Sequence, residues 1–225
     1  YRSPATLTLV PLEVQVAPRR VGYVPGPGDD LAGALRELGL EPVLLDAARL
    51  ASPAAWASLQ TIVVGARAYE VNDALLAANS GLLQWARAGG TLVVMYQKYP
   101  YATPGLAPLP FTYDEPHDRV VDETAPVTLL QPEHPLLSRP NCLGEADFAG
   151  WVQERGLYFW DRWDAGYTPL LTTADPGEPP QEGGLLVAPL GQGHYVYCGY
   201  ALFRQLPAGV PGAWRLLANL LAYGG

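Results

Sequence analysis

The chain is short of cysteine and of everything a metal centre, a membrane span or a nucleic acid would require. Cys142 and Cys198 are its two cysteines in 225 residues. Two thiols build no disulfide framework and cannot fill a four-ligand zinc site. The three histidines, His117, His134 and His194, form no closely spaced ligand pair, so neither a metal nor a cofactor is expected. No stretch approaches the ~18 consecutive apolar residues of a membrane span. Positive charge is also scarce. Fourteen Lys and Arg stand against 22 Asp and Glu, a formal net charge of −8, which repels phosphate backbones and argues against a nucleic-acid partner. The chain opens on Tyr1-Arg2-Ser3-Pro4 without an initiator Met or a signal peptide. This reads as a piece of a longer polypeptide and leaves the compartment undefined.

Apolar residues, by contrast, make up 49% of the chain, enough for a sizeable core. The 24 glycines and 23 prolines fall between apolar runs and punctuate a fold. Residues 6–16 alternate like a strand interrupted by Pro11, and residues 1–18 are expected to be a tail or an edge strand from an upstream β domain. From residue 19 onward the pattern becomes strand, helix, strand, helix. Short Val/Ile/Leu strands are expected at 20–24, 42–46, 61–65 and 91–96, with helices after Asp30, at Ser52-Pro53 and across 75–88. Continuous apolar strands with helical crossovers imply a parallel sheet covered on both faces. The expected fold is an α/β, flavodoxin-like, doubly wound and mostly parallel sheet spanning residues 19–225. Residues 97–126 read as a long Pro- and Tyr-rich excursion, and 127–130 and 167–172 as strands. Residues 184–189 and 194–199 read as a hairpin, and Pro211 as the start of a final helix.

Ligands of such sheets bind at the carboxyl ends of the strands. The residues expected there are Asp29 after the first strand, Arg67 and Tyr69 after the third, and Tyr96 and Gln97 after the fourth. Tyr200 and Arg204 follow the hairpin, and Glu154 completes the set of ligand-binding candidates. Arginine forks, tyrosine faces and an amide suit a polyhydroxylated or anionic ligand. The competing expectation is that Arg67 and Arg204 pair with Asp29 or Glu154 and only tie loops together. Pro25-Gly26-Pro27-Gly28 lacks the Lys-Ser/Thr of a phosphate loop, and two aspartates follow it, so it reads as a tight turn with an acidic cap. The acids around His117 lack EF-hand spacing. Glu145, Asp147 and Glu154 beside Trp151 and Trp160 offer a weak glycosidase pattern.

Three segments in order resemble the class I glutamine amidotransferase-like superfamily, in its trehalose-utilisation (ThuA-like) branch: Gly89-Gly90-Thr91-Leu92-Val93-Val94, Glu133-His134-Pro135-Leu136 and Gly191-Gln192-Gly193-His194-Tyr195. In that superfamily the turn after the equivalent strand carries a nucleophilic cysteine. Here the turn carries Tyr96 and Gln97, so the resemblance implies the scaffold without its nucleophile, and no catalytic residue is expected.

A second set of segments resembles the C-terminal region of large bacterial PIG-L/LmbE-type deacetylases, whose zinc domain removes acetyl groups from N-acetylglucosamine-like substrates. It comprises residues 21–24 with Gly28-Asp29, 64–69, 118–127, 150–159 and 203–213. The zinc motif His-Pro-Asp-Asp is absent from this chain. The resemblance implies a non-catalytic accessory domain that binds carbohydrate or packs on upstream catalytic and β domains of the same polypeptide. The alternatives are a sugar-derivative hydrolase or isomerase of ThuA-like type using Glu154, His134 or Asp29, and a homo-oligomerisation module.

Overall fold

A computed structural model describes residues 10–225. The first half alternates as expected: β1 (Val21–Val24), α1 (Leu31–Glu37), β2 (Val43–Leu44), α2 (Ala47–Leu50), β3 (Thr61–Val64), α3 (Ala68–Val71), α4 (Asp73–Arg87) and β4 (Thr91–Met95). The second half adds β5 (Phe111–Thr112), β6 (Asp118–Val120), β7 (Val127–Leu129), α5 (Pro135–Ser138), β8 (Gly156–Phe159), β9 (Arg162–Trp163) and β10 (Thr168–Pro169). It ends with β11 (Leu171–Thr173), β12 (Leu185–Leu190), β13 (Gly193–Cys198), α6 (Leu202–Gln205) and α7 (Pro211–Ala222).

Seven strands form one mixed sheet in the order β10-β12-β13-β4-β3-β1-β2. Strands β2, β1, β3, β4 and β13 run parallel, and β12 and then β10 add antiparallel pairings at the edge. The parallel part has the 2-1-3-4-5 order of a flavodoxin-like sheet. Its register is level: Val24 lies opposite Val64, Val64 opposite Val94, and Val94 opposite Tyr197. The loops that follow β1, β3, β4 and β13 therefore leave the sheet at one height.

Side-chain alternation divides the core into two layers. Tyr23, Val63, Val93 and Val196 face α1 and α7, whose Leu35, Leu217 and Leu220 are fully buried against them. Ile62, Val64, Leu92 and Tyr195 face α2 and α4, with Leu50, Leu75 and Leu82. Helix starts follow local chemistry. Asp30 accepts the Gly33 N–H at 3.1 Å, Asp46 the Arg49 N–H at 2.9 Å and Asn72 the Leu75 N–H at 3.0 Å. Asn219 of α7, wholly buried, makes four hydrogen bonds to Leu136 and Asn141 and so fixes the loop around α5.

Three local expectations are corrected. The helix expected at Ser52-Pro53 begins earlier, at Ala47, because Asp46 caps it, and Pro53–Ala55 forms one 3₁₀ turn. Residues 167–172 do not form one strand. Thr168–Pro169 pairs with β12 on the main sheet, and Leu171–Thr173 then turns away to pair with β7. Pro169 cannot donate to a further ladder and sits at the sheet edge. The strand expected over 6–16 lies partly outside the described residues. Residues 10–20 carry no strand, and Gln15 is clasped to Asn141 by two hydrogen bonds of 2.8 and 2.9 Å.

Candidate functional site

The turn after β1 lies directly on the turn after β3. A Cβ on Gly26 would overlap the carbonyl of Ala66, so only glycine lets the two turns meet. Asp29 closes this junction. Its Oδ2 accepts the Ala66 N–H at 2.7 Å, and its Oδ1 accepts the Tyr23 hydroxyl proton. Burial pushes the Asp29 carboxyl up to about 6, and the charge of Asp30 adds to this against the opposing Ala66 N–H.

Beside Asp29 opens a cavity of about 150 Å³, a size that encloses one six-membered ring. The cavity is lined by Leu31 and Ala34 of α1, by Met95 at the end of β4 and Tyr96 just after it, and by Tyr200, Leu202, Phe203 and Trp214. Tyr96 and Phe203 pack against each other with ring centroids 5.4 Å apart. The Tyr200 hydroxyl and the Trp214 indole N–H are buried without a partner among the described residues.

The expected candidates separate into three groups. Asp29, Tyr96 and Tyr200 line the cavity. Arg67, Glu154 and Arg204 do not line it, and each is held in an ion pair. Arg67 Nε lies 2.8 Å from Glu70, and Arg204 Nε lies 2.6 Å from Glu154. The loop-tying expectation holds for Arg204, whereas Arg67 pairs with Glu70 three residues on in the same turn and joins no second loop. Tyr69 and Gln97 are internal struts, 3% and 0% exposed. Gln97 Nε2 donates to Gly65 O and Met95 O, both at 2.9 Å, and its Oε1 accepts from Tyr69 N. The Tyr69 hydroxyl donates to Asn79 at 2.5 Å, and Asn79 in turn holds the carbonyls of Gly105 and Leu106.

The turn after β4 carries no strained elbow. Positive φ among the described non-glycine residues falls at Arg67, Gln153 and Tyr158. Tyr158 is the extra residue of a bulge, since Arg119 pairs with Leu157 and Asp118 with Phe159. Its ring stacks flat on His117, with centroids 3.8 Å apart and planes at 2°. It also faces Tyr96 and Tyr99, at 6.2 and 5.3 Å.

The acid–base candidates Asp29, Glu154 and His134 do not share a site. His134 sits at the opposite end of the sheet, where Tyr223 packs between it and His194 at ring distances of 5.4 and 4.6 Å. His194, the second residue of β13, lies beside Thr91, the first residue of β4. Cys198 is buried in β13 with its thiol pushed up to about 12 by burial, and Cys142 is exposed and unpaired. Among the described residues no group of three or more His, Cys, Asp or Glu is placed to hold a metal ion, and no helix is long and apolar enough to cross a membrane.

The composition of the cavity walls was not legible in the sequence. Met95, Leu202, Phe203 and Trp214 read as ordinary core residues at their spacings, and only the closure of α1 and α7 over the ends of β4 and β13 brings them together.

The same architecture recurs in solved structures. A ThuA-like protein of Bacteroides uniformis superposes with a TM-score of 0.55 at 11% identity, over 97% of this chain and 93% of its own. A GMP synthase protein of Thermoplasma acidophilum superposes with a TM-score of 0.53 at 10% identity, over 92% of this chain and 94% of its own. The fold is ThuA-like and class I glutamine amidotransferase-like. A cytoplasmic protein of Salmonella typhimurium shares it at a TM-score of 0.58 and 16% identity, over 91% of this chain and 98% of that one. No protein-family model and no curated protein matches the sequence.

Proposed function

We propose that this chain is a non-catalytic, ligand-binding domain that takes one sugar-sized ring in the cavity beside Asp29. Following the resemblance to PIG-L/LmbE-type deacetylases, it serves as an accessory domain of such an enzyme. The observation that carries the proposal is the cavity itself. It lies at the carboxyl ends of β1, β3, β4 and β13, where parallel α/β sheets bind ligands. It combines aromatic side chains (Tyr96, Phe203, Trp214) with the carboxylate of Asp29, the mixture that fits the apolar face and hydroxyl edge of a pyranose.

Calorimetric titration of the chain with a panel of monosaccharides tests it. Saturable heat is expected with at least one sugar. Ala34→Phe, which fills the cavity from α1, is expected to abolish that heat while the protein stays folded by circular dichroism. No heat with any sugar, or binding undiminished in Ala34→Phe, would overturn the proposal.

A further inference from the structure

The charges around the cavity are of one sign. Asp29, Asp30 and Glu37 line it, and no lysine, arginine or histidine among the described residues does. None of the three carboxylates has an ion-pair partner among those residues. The nearby cations are engaged elsewhere, Arg204 with Glu154 and both Arg67 and Lys98 with Glu70. Asp29 therefore holds its charge half-buried, supported only by Tyr23 and backbone N–H groups. Its partners are the Tyr23 hydroxyl and the N–H groups of Ala66, Leu31 and Gly26, none of which carries a charge. A carboxylate so placed gains most from a cation that arrives with a ligand.

The remaining wall suits the same charge. Tyr96, Tyr200, Phe203 and Trp214 contribute four aromatic rings, whose faces attract an ammonium group. Tyr200 and Trp214 are 1% and 3% exposed, and their polar atoms have no partner among the described residues. Tyr200 packs against Phe148, Trp151 and Phe159, so its ring backs the lining while its hydroxyl stays in the core.

We propose that the cavity selects an organic ammonium ion of about one ring in size, with the ammonium on Asp29 and the ring against Tyr96, Phe203 and Trp214. The sugar character of that ring rests on the function proposed above. The charge preference does not. Neutral ligands leave the three carboxylates without a counter-ion, and anionic ligands are repelled by them and by the net charge of −8.

The test is titration of the chain near neutral pH with two matched pairs, cyclohexylamine against cyclohexanol and D-glucosamine against D-glucose. Each amine is expected to bind about tenfold or more tighter than its neutral partner, with the advantage shrinking as salt is added. Asp29→Asn is expected to erase most of that advantage. The exposed Glu37→Gln, which leaves the Asp29 junction intact, is expected to lower amine affinity about two- to threefold without touching the alcohols. Equal affinity within both pairs would overturn the ammonium proposal and leave the sugar site standing. Binding of cyclohexylamine with neither sugar bound would support the ammonium proposal and remove the sugar. Failure of all four ligands to bind would remove both.

Discussion

Gln97 Oε1 accepts the backbone N–H of Tyr69 at 3.1 Å, and the same amide donates to Gly65 and Met95. A single side chain thus locks the turn after β4 to the turn after β3. The turn after β4 thus holds a structural peg with no accessible surface.

Removing that peg is expected to be costly. Gln97→Ala removes three hydrogen bonds in a dry interior and strands the Tyr69 N–H, while the Gly65 carbonyl keeps the Ala68 N–H, and a stranded group costs about 1–3 kcal/mol. Urea denaturation should show a loss of roughly 3 kcal/mol or more. A loss below about 1 kcal/mol would mean that water replaces the amide and that the turn is open to solvent.

Asp29 makes stability depend on pH in an unusual direction for a carboxylate. Its folded-state value of about 6 lies above the ordinary one, so the folded protein binds this proton more tightly than the unfolded chain does. The contribution is complete below about pH 4 and is lost as pH rises through about 6. Asp29→Asn keeps an oxygen for the Ala66 N–H and removes the loss. Denaturation at about pH 8 should find the variant more stable than the parent by roughly 1–3 kcal/mol, with the gap closing near pH 4. A gap independent of pH would show that Asp29 titrates normally.

Neighbouring residues Arg204 and Gln205 should behave in opposite ways. The Arg204–Glu154 pair lies at the rim, with side chains 34% and 14% exposed, and a double-mutant cycle should give a coupling of about 0.5–1 kcal/mol that fades with salt. Gln205 is fully buried and bonds Val152 N, Val152 O and Glu154 O. Gln205→Ala should cost roughly 2 kcal/mol or more by the same denaturation assay. If Arg204→Ala proved the more damaging change, the rim pair would be carrying the loop.

How much of this could be read beforehand depends on the range of the interaction involved. The strands at 21–24, 61–64 and 91–95 and the helix at 73–87 announce themselves through runs of Val, Ile and Leu or through 3.6-residue spacing, all within one element. The parallel sheet of the first half follows from the βα rhythm, whereas the parallel pairing of β13 with β4 across the intervening excursion does not. The site was half legible. That Asp29, Tyr96 and Tyr200 emerge at the carboxyl end follows from their places after strands. That Tyr69 and Gln97 turn inward while Arg67 turns outward does not, because the three lie on similar turns and differ only in what packs over them. The bulge that carries Tyr158 was likewise hidden, since it depends on the register between β6 and β8.

The doubly wound sheet and the residues of the turn after β4 are written into the chain, because alternation, capping and residue identity are local properties. Where a ligand could enter is set by the tertiary fold alone. The cavity exists because α1 and α7, which lie near opposite ends of the chain, close over one end of the sheet without filling it. Its acidic character arises because Arg67, Lys98 and Arg204 are committed to carboxylates outside it and the buried Arg155 to the carbonyls of Ala125 and Phe148. Charge neutralisation and packing of this kind are governed by distances across the fold, which no stretch of sequence encodes alone.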